Sequence, residues 1–399
     1  MRDESRVDDP DRGVEMNASI LTAPTALRTA VSFGSATAKE SAAAMIGEAE
    51  AALEVNDLAA ALAVLEDVYD FTRTSPILTN RALLAESWAR MATGDLDGAE
   101  ELLARASDIT AKPEFTERDR AEVLYRLGCC RLQRSKTGNA TQLFTVALEV
   151  CHRSGEECTK LRAHILQWRA RCWLRQHLPD MAREDVELAI ELAEALDEPR
   201  TLAHACFQAS VVSERQSQWL LARMYGERAL DGYERLGDRV NCHKVLNNLG
   251  GINVLLGSAE RATDCLLRAV AIAQELGDDI GAAYALSTLA HMTLKFDDPC
   301  GADGYARQAR ELLEGREAHL GELGNVLLLI GRAMLEQNEL SKAESFFRRA
   351  DAAFEQISSV GHRAEAWVAQ GDLARRRGDT DAAADRYRKA AIALQDVHL

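Results

Sequence analysis

The sequence predicts an all-α protein, a solenoid of about nine helix-turn-helix repeats. Three observations favour this fold class: a repeat period near 40 residues, small residues at fixed places in each period, and a composition typical of helices. Hydrophobic residues make up 47% of the 399 residues, whereas aromatic residues make up 5% and only 7 residues are proline. Since alanine and leucine favour helices and proline interrupts them, this composition predicts long helical stretches.

The clearest repeat spans residues 242–278. Its two apolar helical patterns, 245–256 and 262–276, are separated by Gly257 and Ser258. Glycine is the usual residue where a helix ends in the left-handed conformation, and serine is a common cap of the helix that follows. This stretch therefore predicts a helix, a tight turn and a second helix.

An alanine recurs in the second helix of every repeat, at intervals of 38 to 42 residues. These anchor alanines are Ala61, Ala99, Ala140, Ala182, Ala222, Ala262, Ala302, Ala343 and Ala383. Twelve residues earlier, the first helix always carries a small residue. These small positions are Ala49, Ser87, Gly128, Ala170, Ser210, Gly250, Ala290, Gly331 and Gly371. A register of this kind predicts hairpins that bury their apolar faces by stacking on one another.

This register resembles the tetratricopeptide repeat (TPR) when the aromatic residue four places after the anchor is included. The resemblance is carried by Gly371, Ala383, Tyr387 and Ala390, and by Gly331, Ala343, Phe347 and Ala350. The commonest TPR has a period of about 34 residues. The longer period here is similar to arrays in adaptor proteins and in the sensor halves of bacterial regulators. The resemblance covers about Ala43 to Leu394 and implies a right-handed α-solenoid whose first helices line a concave groove.

The two ends of the chain differ from the repeats. Residues 1–38 contain charges, Pro10 and Pro24 without a sustained helical period, which predicts a flexible leader. The alternative is an arm that folds onto a partner or into the groove. Residues 39–399 would then form the TPR-like array. Its last helix, near 381–395, carries the charged side chains that suit a solvated capping helix.

Charge and cysteine content limit the classes of partner and location. A formal net charge of −16 argues against direct nucleic-acid binding, because neutralising phosphates needs a basic surface. Residues 121–180 are the exception, with ten Lys and Arg against five Asp and Glu. No apolar run approaches the roughly 18 residues of a membrane span. Nine cysteines without a Cys-X-X-Cys pair fit a reducing compartment. We therefore expect a cytoplasmic protein that does not insert into membranes.

Catalytic motifs cannot be identified in the sequence. It contains no phosphate-binding loop, no H-E-x-x-H motif and no nucleophile elbow. The histidines are scattered without the spacing of metal ligands. We therefore expect a non-enzymatic protein without a metal or other cofactor.

The resemblance to TPR arrays implies which side chains face the groove. They lie two residues before, six residues before and one residue after each small position, or one turn further along. In the middle of the chain these places carry cations, amides and aromatic rings. The predicted groove residues are Trp88, Arg126, Trp168, Arg171, Arg175, Gln208, Arg215, Lys244, Asn247, Asn248, His291, Lys295 and Arg332.

These residue types suit an acidic, extended ligand. Guanidinium and ammonium groups pair with carboxylates, and an asparagine amide can pair with the N–H and C=O of a peptide. Related arrays hold extended peptides in this way, so the resemblance implies a scaffold or adaptor that binds an acidic or carboxylate-bearing segment of another protein. The alternative function is a peptide- or ligand-sensing module of a bacterial signalling or transcription-control system.

Two structural alternatives stay open beside these functions. The groove charges could serve only to solvate a large surface, with Asn247 capping or bridging within the array. The chain could also associate with itself through its outer face or an end hairpin, because an all-helical array offers edges that can stack.

Overall fold

The computed structural model describes residues 35–54, 57–72, 75–154 and 158–397, and all regular elements in these ranges are helices. Residues 1–34 of the predicted leader lie outside the described residues. The first described helix begins at Ser35, eight residues before the first repeat predicted from the sequence.

The described part contains eighteen α-helices, which form nine consecutive helix-turn-helix repeats. The first helices of the repeats are α1 (Ser35–Glu54), α3 (Pro76–Thr93), α5 (Glu117–Gln133), α7 (Thr159–Arg175), α9 (Pro199–Arg215), α11 (Arg239–Leu255), α13 (Asp279–Lys295), α15 (Leu320–Glu336) and α17 (Val360–Arg376). The second helices are α2 (Leu58–Thr72), α4 (Leu96–Thr110), α6 (Thr137–Ser154), α8 (Pro179–Ala195), α10 (Trp219–Arg235), α12 (Ala259–Glu275), α14 (Pro299–Leu313), α16 (Leu340–Gln356) and α18 (Thr380–Val397). A short 3₁₀ turn, Glu317–His319, precedes α15. The prediction of an all-α array of about nine hairpins is confirmed.

Turn residues act largely as the sequence predicts. Gly257 and Gly277 take the left-handed conformation, with φ of 71° and 68°, two residues after the last residues of α11 and α12. The Asp278 carboxylate accepts a hydrogen bond of 2.8 Å from the N–H of Gly281 and so caps α13. Ser258 stands at the equivalent place before α12, but its side chain makes no capping hydrogen bond.

The small positions are the places where the two helices of a repeat touch. A Cβ atom on Gly331 would lie 2.5 Å from Cδ1 of Phe347, and one on Gly371 would lie 2.6 Å from Cε1 of Tyr387. Phe347 and Tyr387 both stand four residues after an anchor alanine. A large residue of the second helix therefore fills the gap that a glycine leaves in the first helix.

Packing divides the chain into two compact units, which meet in sequence between Leu143 and Phe144, within α6. The N-terminal unit has a core that includes Ile46, Leu65 and Val68. In the C-terminal unit, apolar clusters run through the successive repeats. Each first helix from α7 to α15 packs on its own second helix and on the first helix of the next repeat, and α17 packs on α18. These six first helices lie in a row, and we call the surface they present the first-helix face.

None of the helices in the described ranges combines the length and the apolar character that crossing a lipid bilayer requires.

Candidate functional site

Many cations in the described ranges pair with carboxylates, and several of these pairs join neighbouring repeats. Arg200 lies 2.8 Å from Asp238, the residue that caps the first helix of the next repeat. Arg268 lies 2.7 Å from Glu234 on the preceding second helix. Exposed pairs of this kind each stabilise the fold by less than about 1 kcal/mol. Each pair nevertheless neutralises one positive and one negative side chain. Places where several cations line one cleft are therefore informative.

One such place is a cleft of about 740 Å³ between α7 and α9, on the first-helix face. We call it the arginine cleft, and it is lined by Arg171, Leu174, Arg175, His177, Pro179, Phe207, Gln208, Val211 and Arg215. None of these described lining residues is Asp or Glu. The cleft thus combines three guanidinium groups with an apolar floor, and it unites four of the predicted groove residues.

Trp168 supports one of these cations. The guanidinium carbon of Arg171 lies 4.6 Å from the centroid of the Trp168 ring. The face of an aromatic ring attracts a cation, and stacking restricts where the guanidinium group lies. Trp168 thereby positions Arg171 beside the arginine cleft.

A second cleft on the same face, of about 680 Å³, lies across α13, α15 and α17. We call it the mixed cleft, and it is lined by His291, Leu294, Lys295, Asp297, Arg332, Leu335, Glu336, Asp372, Arg375 and Arg376. It unites three predicted residues, His291, Lys295 and Arg332, with two arginines that the sequence reasoning missed. Arg376 stands five residues after the small position of its helix, as do Arg175, Arg215 and Lys295. This shared offset is the sequence signal from which Arg376 could have been predicted.

The charges of the mixed cleft are partly neutralised. Arg376 lies 3.0 Å from Glu336, and Arg375 lies 3.5 Å from Asp372. Arg332 has no ion-pair partner within the described ranges. Burial lowers the pKa of His291, and the nearby charges of Arg332 and Lys295 lower it further. On the side formed by α13 and α15, Arg332 and Lys295 lie beside Asp297 and Glu336, and Lys295 Nζ donates a hydrogen bond of 2.8 Å to the Val254 carbonyl.

Two amides lie on α11, between the clefts, and both bridge neighbouring first helices. The Nδ2 of Asn248 donates to a carboxylate oxygen of Glu214 at 2.7 Å, and the Ser210 hydroxyl lies 3.1 Å from its Oδ1. Asn247 accepts a hydrogen bond of 3.3 Å from the Thr288 hydroxyl through Oδ1. The structure thus shows the bridging that was the alternative for Asn247. A contact of either amide with a partner stays a prediction.

Lys244 also lies on α11. Its side chain is exposed, and it forms no ion pair with the residues that the structure describes. It lines neither of the two clefts, so its predicted role in binding rests on its charge and position on the first-helix face.

The two remaining predicted residues, Trp88 and Arg126, line a cleft of about 720 Å³ in the N-terminal unit. The guanidinium carbon of Arg126 lies 4.8 Å from the Trp88 ring centroid, and its Nε lies 2.7 Å from the Glu122 carboxylate. In the same cleft, Arg81 lies 2.7 Å from Glu50. In this cleft, Arg126 and Arg81 are thus both paired with carboxylates.

The described part of the chain holds no group of three or more His, Cys, Asp and Glu side chains arranged to bind a metal ion. What the first-helix face offers is cationic, hydrogen-bonding and apolar contacts in open clefts. Such a surface can hold an anionic, extended ligand.

No protein-family model matches this sequence, and no curated protein matches it. Among solved structures, the chain is similar to the apo form of the quorum sensor NprR from B. thuringiensis, with a TM-score of 0.65 and 14% identity over 89% of this chain and 99% of that one. It is also similar to a Rap protein complexed with Competence and Sporulation Factor, with a TM-score of 0.64 and 16% identity over 90% and 99%. NprR in complex with its cognate peptide NprX gives a TM-score of 0.55 and 13% identity over 89% and 99%. At these identities the likeness concerns the fold, and the chain folds as a TPR-like array.

Proposed function

We propose that this protein is a non-enzymatic scaffold or adaptor whose first-helix face binds an acidic or carboxylate-bearing segment of another protein. The observation that carries the proposal is the arginine cleft, where Arg171, Arg175 and Arg215 lie beside apolar residues and none of the described lining residues is Asp or Glu. Arginine pairs with carboxylates through two parallel hydrogen bonds, and the apolar floor suits a neighbouring side chain of the same segment. The solved complex of NprR with its peptide NprX supports the use of such a fold for peptide binding.

The proposal includes a cytoplasmic location and no direct binding of nucleic acid. Nine cysteines without a Cys-X-X-Cys pair support the location, and the net charge of −16 supports the exclusion of nucleic acid. Self-association through the outer face or an end hairpin remains part of the proposal as a second kind of partner.

Arg215→Glu tests the proposal, because Arg215 is exposed and forms no ion pair among the described residues. The probe is a fluorescein-labelled peptide of alternating Glu and Leu, compared with one of alternating Gln and Leu, and binding is measured by fluorescence anisotropy. We expect the acidic peptide alone to bind, the charge reversal to weaken its binding roughly tenfold or more, and salt to weaken it too.

Arg235→Glu is the matched control. Arg215 and Arg235 are each the last residue of a 17-residue helix, but Arg235 lies on a second helix and pairs with Asp231 at 3.0 Å. Equal binding by the two variants, or equal binding of the acidic and amide peptides, would contradict the proposal.

A second candidate function is a peptide- or ligand-sensing module of a bacterial regulatory system. The likeness to the quorum sensor NprR favours it. In this role the ligand would change how the repeats pack, because each repeat contacts only its neighbours. Small-angle X-ray scattering with and without saturating acidic peptide tests this role. A radius of gyration that does not change on binding would favour the rigid scaffold instead.

A further inference from the structure

The arginine cleft and the mixed cleft lie on one continuous row of helices. The arginine cleft is formed by α7 and α9, the mixed cleft by α13, α15 and α17, and only α11 lies between them. Each first helix in this row packs against the next. Packed helices lie about 8–10 Å apart. The walls that α9 and α13 contribute are therefore about 16–20 Å apart, and the cleft centres are roughly 30 Å apart along the row.

The surface between the clefts lacks a side chain at its centre. The residue after the small position lines a cleft in the neighbouring helices: Arg171 on α7, Val211 on α9, His291 on α13 and Arg332 on α15. In α11 this residue is Gly251. No atom of the surroundings lies within 4 Å of the place that its Cβ would take. The row of side chains is thus interrupted between the two cationic clefts.

The floor around Gly251 suits a peptide main chain. Asn247 and Asn248 lie four and three residues before Gly251, on the same side of α11. Asn248 gives one N–H of its amide to Glu214 and has a second N–H without an acceptor among the described residues. An amide held in place in this way can donate to a main-chain carbonyl with little loss of side-chain entropy.

We propose that the two clefts bind a single ligand, an extended peptide segment with two acidic groups about six to ten residues apart, whose main chain crosses α11 over Gly251. This inference rests on the proposed function, since it requires that the first-helix face binds acidic peptide. The more acidic end lies in the arginine cleft, whose described lining includes three arginines and neither Asp nor Glu. The other end lies in the mixed cleft, against Arg332 and Lys295.

Linked and separate peptides test the inference. The probes are two short fluorescein-labelled Glu-Leu peptides, measured alone and joined by about eight Gly and Ser residues, or by two. Joining two ligands for adjacent sites raises affinity because the second contact becomes intramolecular. With the long linker we expect a Kd at least about tenfold below that of the tighter-binding separate peptide. With the short linker we expect no such gain in affinity.

Gly251→Trp places a bulky side chain in the gap, on a helix that contributes no lining residue to either cleft. We expect this variant to lose the gain in affinity from linkage. The peptide with the long linker should then bind no more tightly than the tighter-binding of the two separate peptides. Arg332→Glu should remove the same gain from the side of the mixed cleft. Gly304→Trp is the matched control, since Gly304 lies on the second helix α14 and also has open space around its Cβ position. Gly251→Gln is the smaller substitution to use if circular dichroism shows lost helicity in Gly251→Trp.

The outcomes separate the two ideas. Halves that bind, with no gain on linkage or a gain that survives Gly251→Trp, would overturn the shared ligand and leave the proposed function standing. Halves that fail to bind at all would overturn both.

Discussion

Gly250 and Leu266 are fitted to each other so closely that a Cβ atom on Gly250 would lie 2.4 Å from both Cγ and Cδ2 of Leu266. Gly250 is the small position of α11, and Leu266 follows the anchor Ala262 by four residues on α12. Both residues are buried. The contact explains why the register of small and large residues recurs: it is the spacing at which the two helices of a repeat can meet.

We expect Gly250→Ala and Gly251→Ala to change stability in opposite directions. Alanine at 250 must displace Leu266, and overpacking of this kind costs about 1–3 kcal/mol. Alanine at 251 enters open space in the interior of a helix, where it is more favourable than glycine by roughly 0.5–1 kcal/mol. Urea unfolding followed by circular dichroism measures both, and each variant serves as the other's control. A stabilised Gly250→Ala would contradict the packing described here.

Asn248 should contribute to stability through its bridge to α9. Replacing it with alanine removes a hydrogen bond to the charged Glu214 and the partner of Ser210, for an expected loss of about 1–2 kcal/mol in the free energy of unfolding. Asn248→Asp should cost more, because it places a second negative charge beside Glu214. Gln356→Ala, at an exposed helix end, is the control. If Asn248→Ala unfolds at the wild-type urea concentration, the bridge has no stabilising role.

The buried carboxylate of Asp185 should depend strongly on Arg169. Asp185 is 5% exposed and accepts hydrogen bonds from Nη2 and Nε of Arg169 at 2.6 and 2.8 Å, and from Nε1 of Trp173 at 3.0 Å. Removing one partner of a buried pair leaves an uncompensated charge, so we expect Arg169→Ala to cost about 3–5 kcal/mol. A double-mutant cycle with Asp185→Leu measures the coupling. If the effects of the two substitutions on the free energy of unfolding are additive, Asp185 does not depend on Arg169.

His204 should make the fold less stable in mild acid. Burial lowers the pKa of His204 from 6.5 to about 4, with the positive charge of His164 adding to the effect, and its Nδ1 lies 2.7 Å from the Tyr233 hydroxyl. Between these two pKa values the unfolded chain binds a proton that the folded protein does not bind. Stability therefore falls as the pH is lowered from about 6.5 to about 4, by up to about 3 kcal/mol from this group.

Urea unfolding at a series of pH values, for the wild type and His204→Gln, measures this contribution. We expect the variant to show a shallower loss of stability over the same interval. His152→Gln, which changes an exposed histidine, is the control and should keep the wild-type slope. Identical slopes for the wild type and His204→Gln would show that His204 is not responsible.

Much of the candidate site was predictable because its residues keep a constant offset from the small positions. Arg175, Arg215 and Lys295 all stand five residues after one, and the structure places each of them in a cleft of the first-helix face. Arg376 shares the offset, but it was missed because the prediction stopped at the eighth repeat. The bridging role of Asn248 was hidden for another reason, since its partner Glu214 is 34 residues away in sequence.

The sequence by itself determined the number of repeats and the course of the helices, because glycine, alanine and apolar residues act through local helical geometry and the contact between adjacent helices. Only the tertiary structure decided which charges stay unbalanced. Arg376 forms an ion pair with Glu336 of the preceding repeat, whereas Arg332 forms no ion pair in the described part of the chain. Charge pairing between repeats depends on how one hairpin is turned against the next, and that rotation comes from the packing of whole helices.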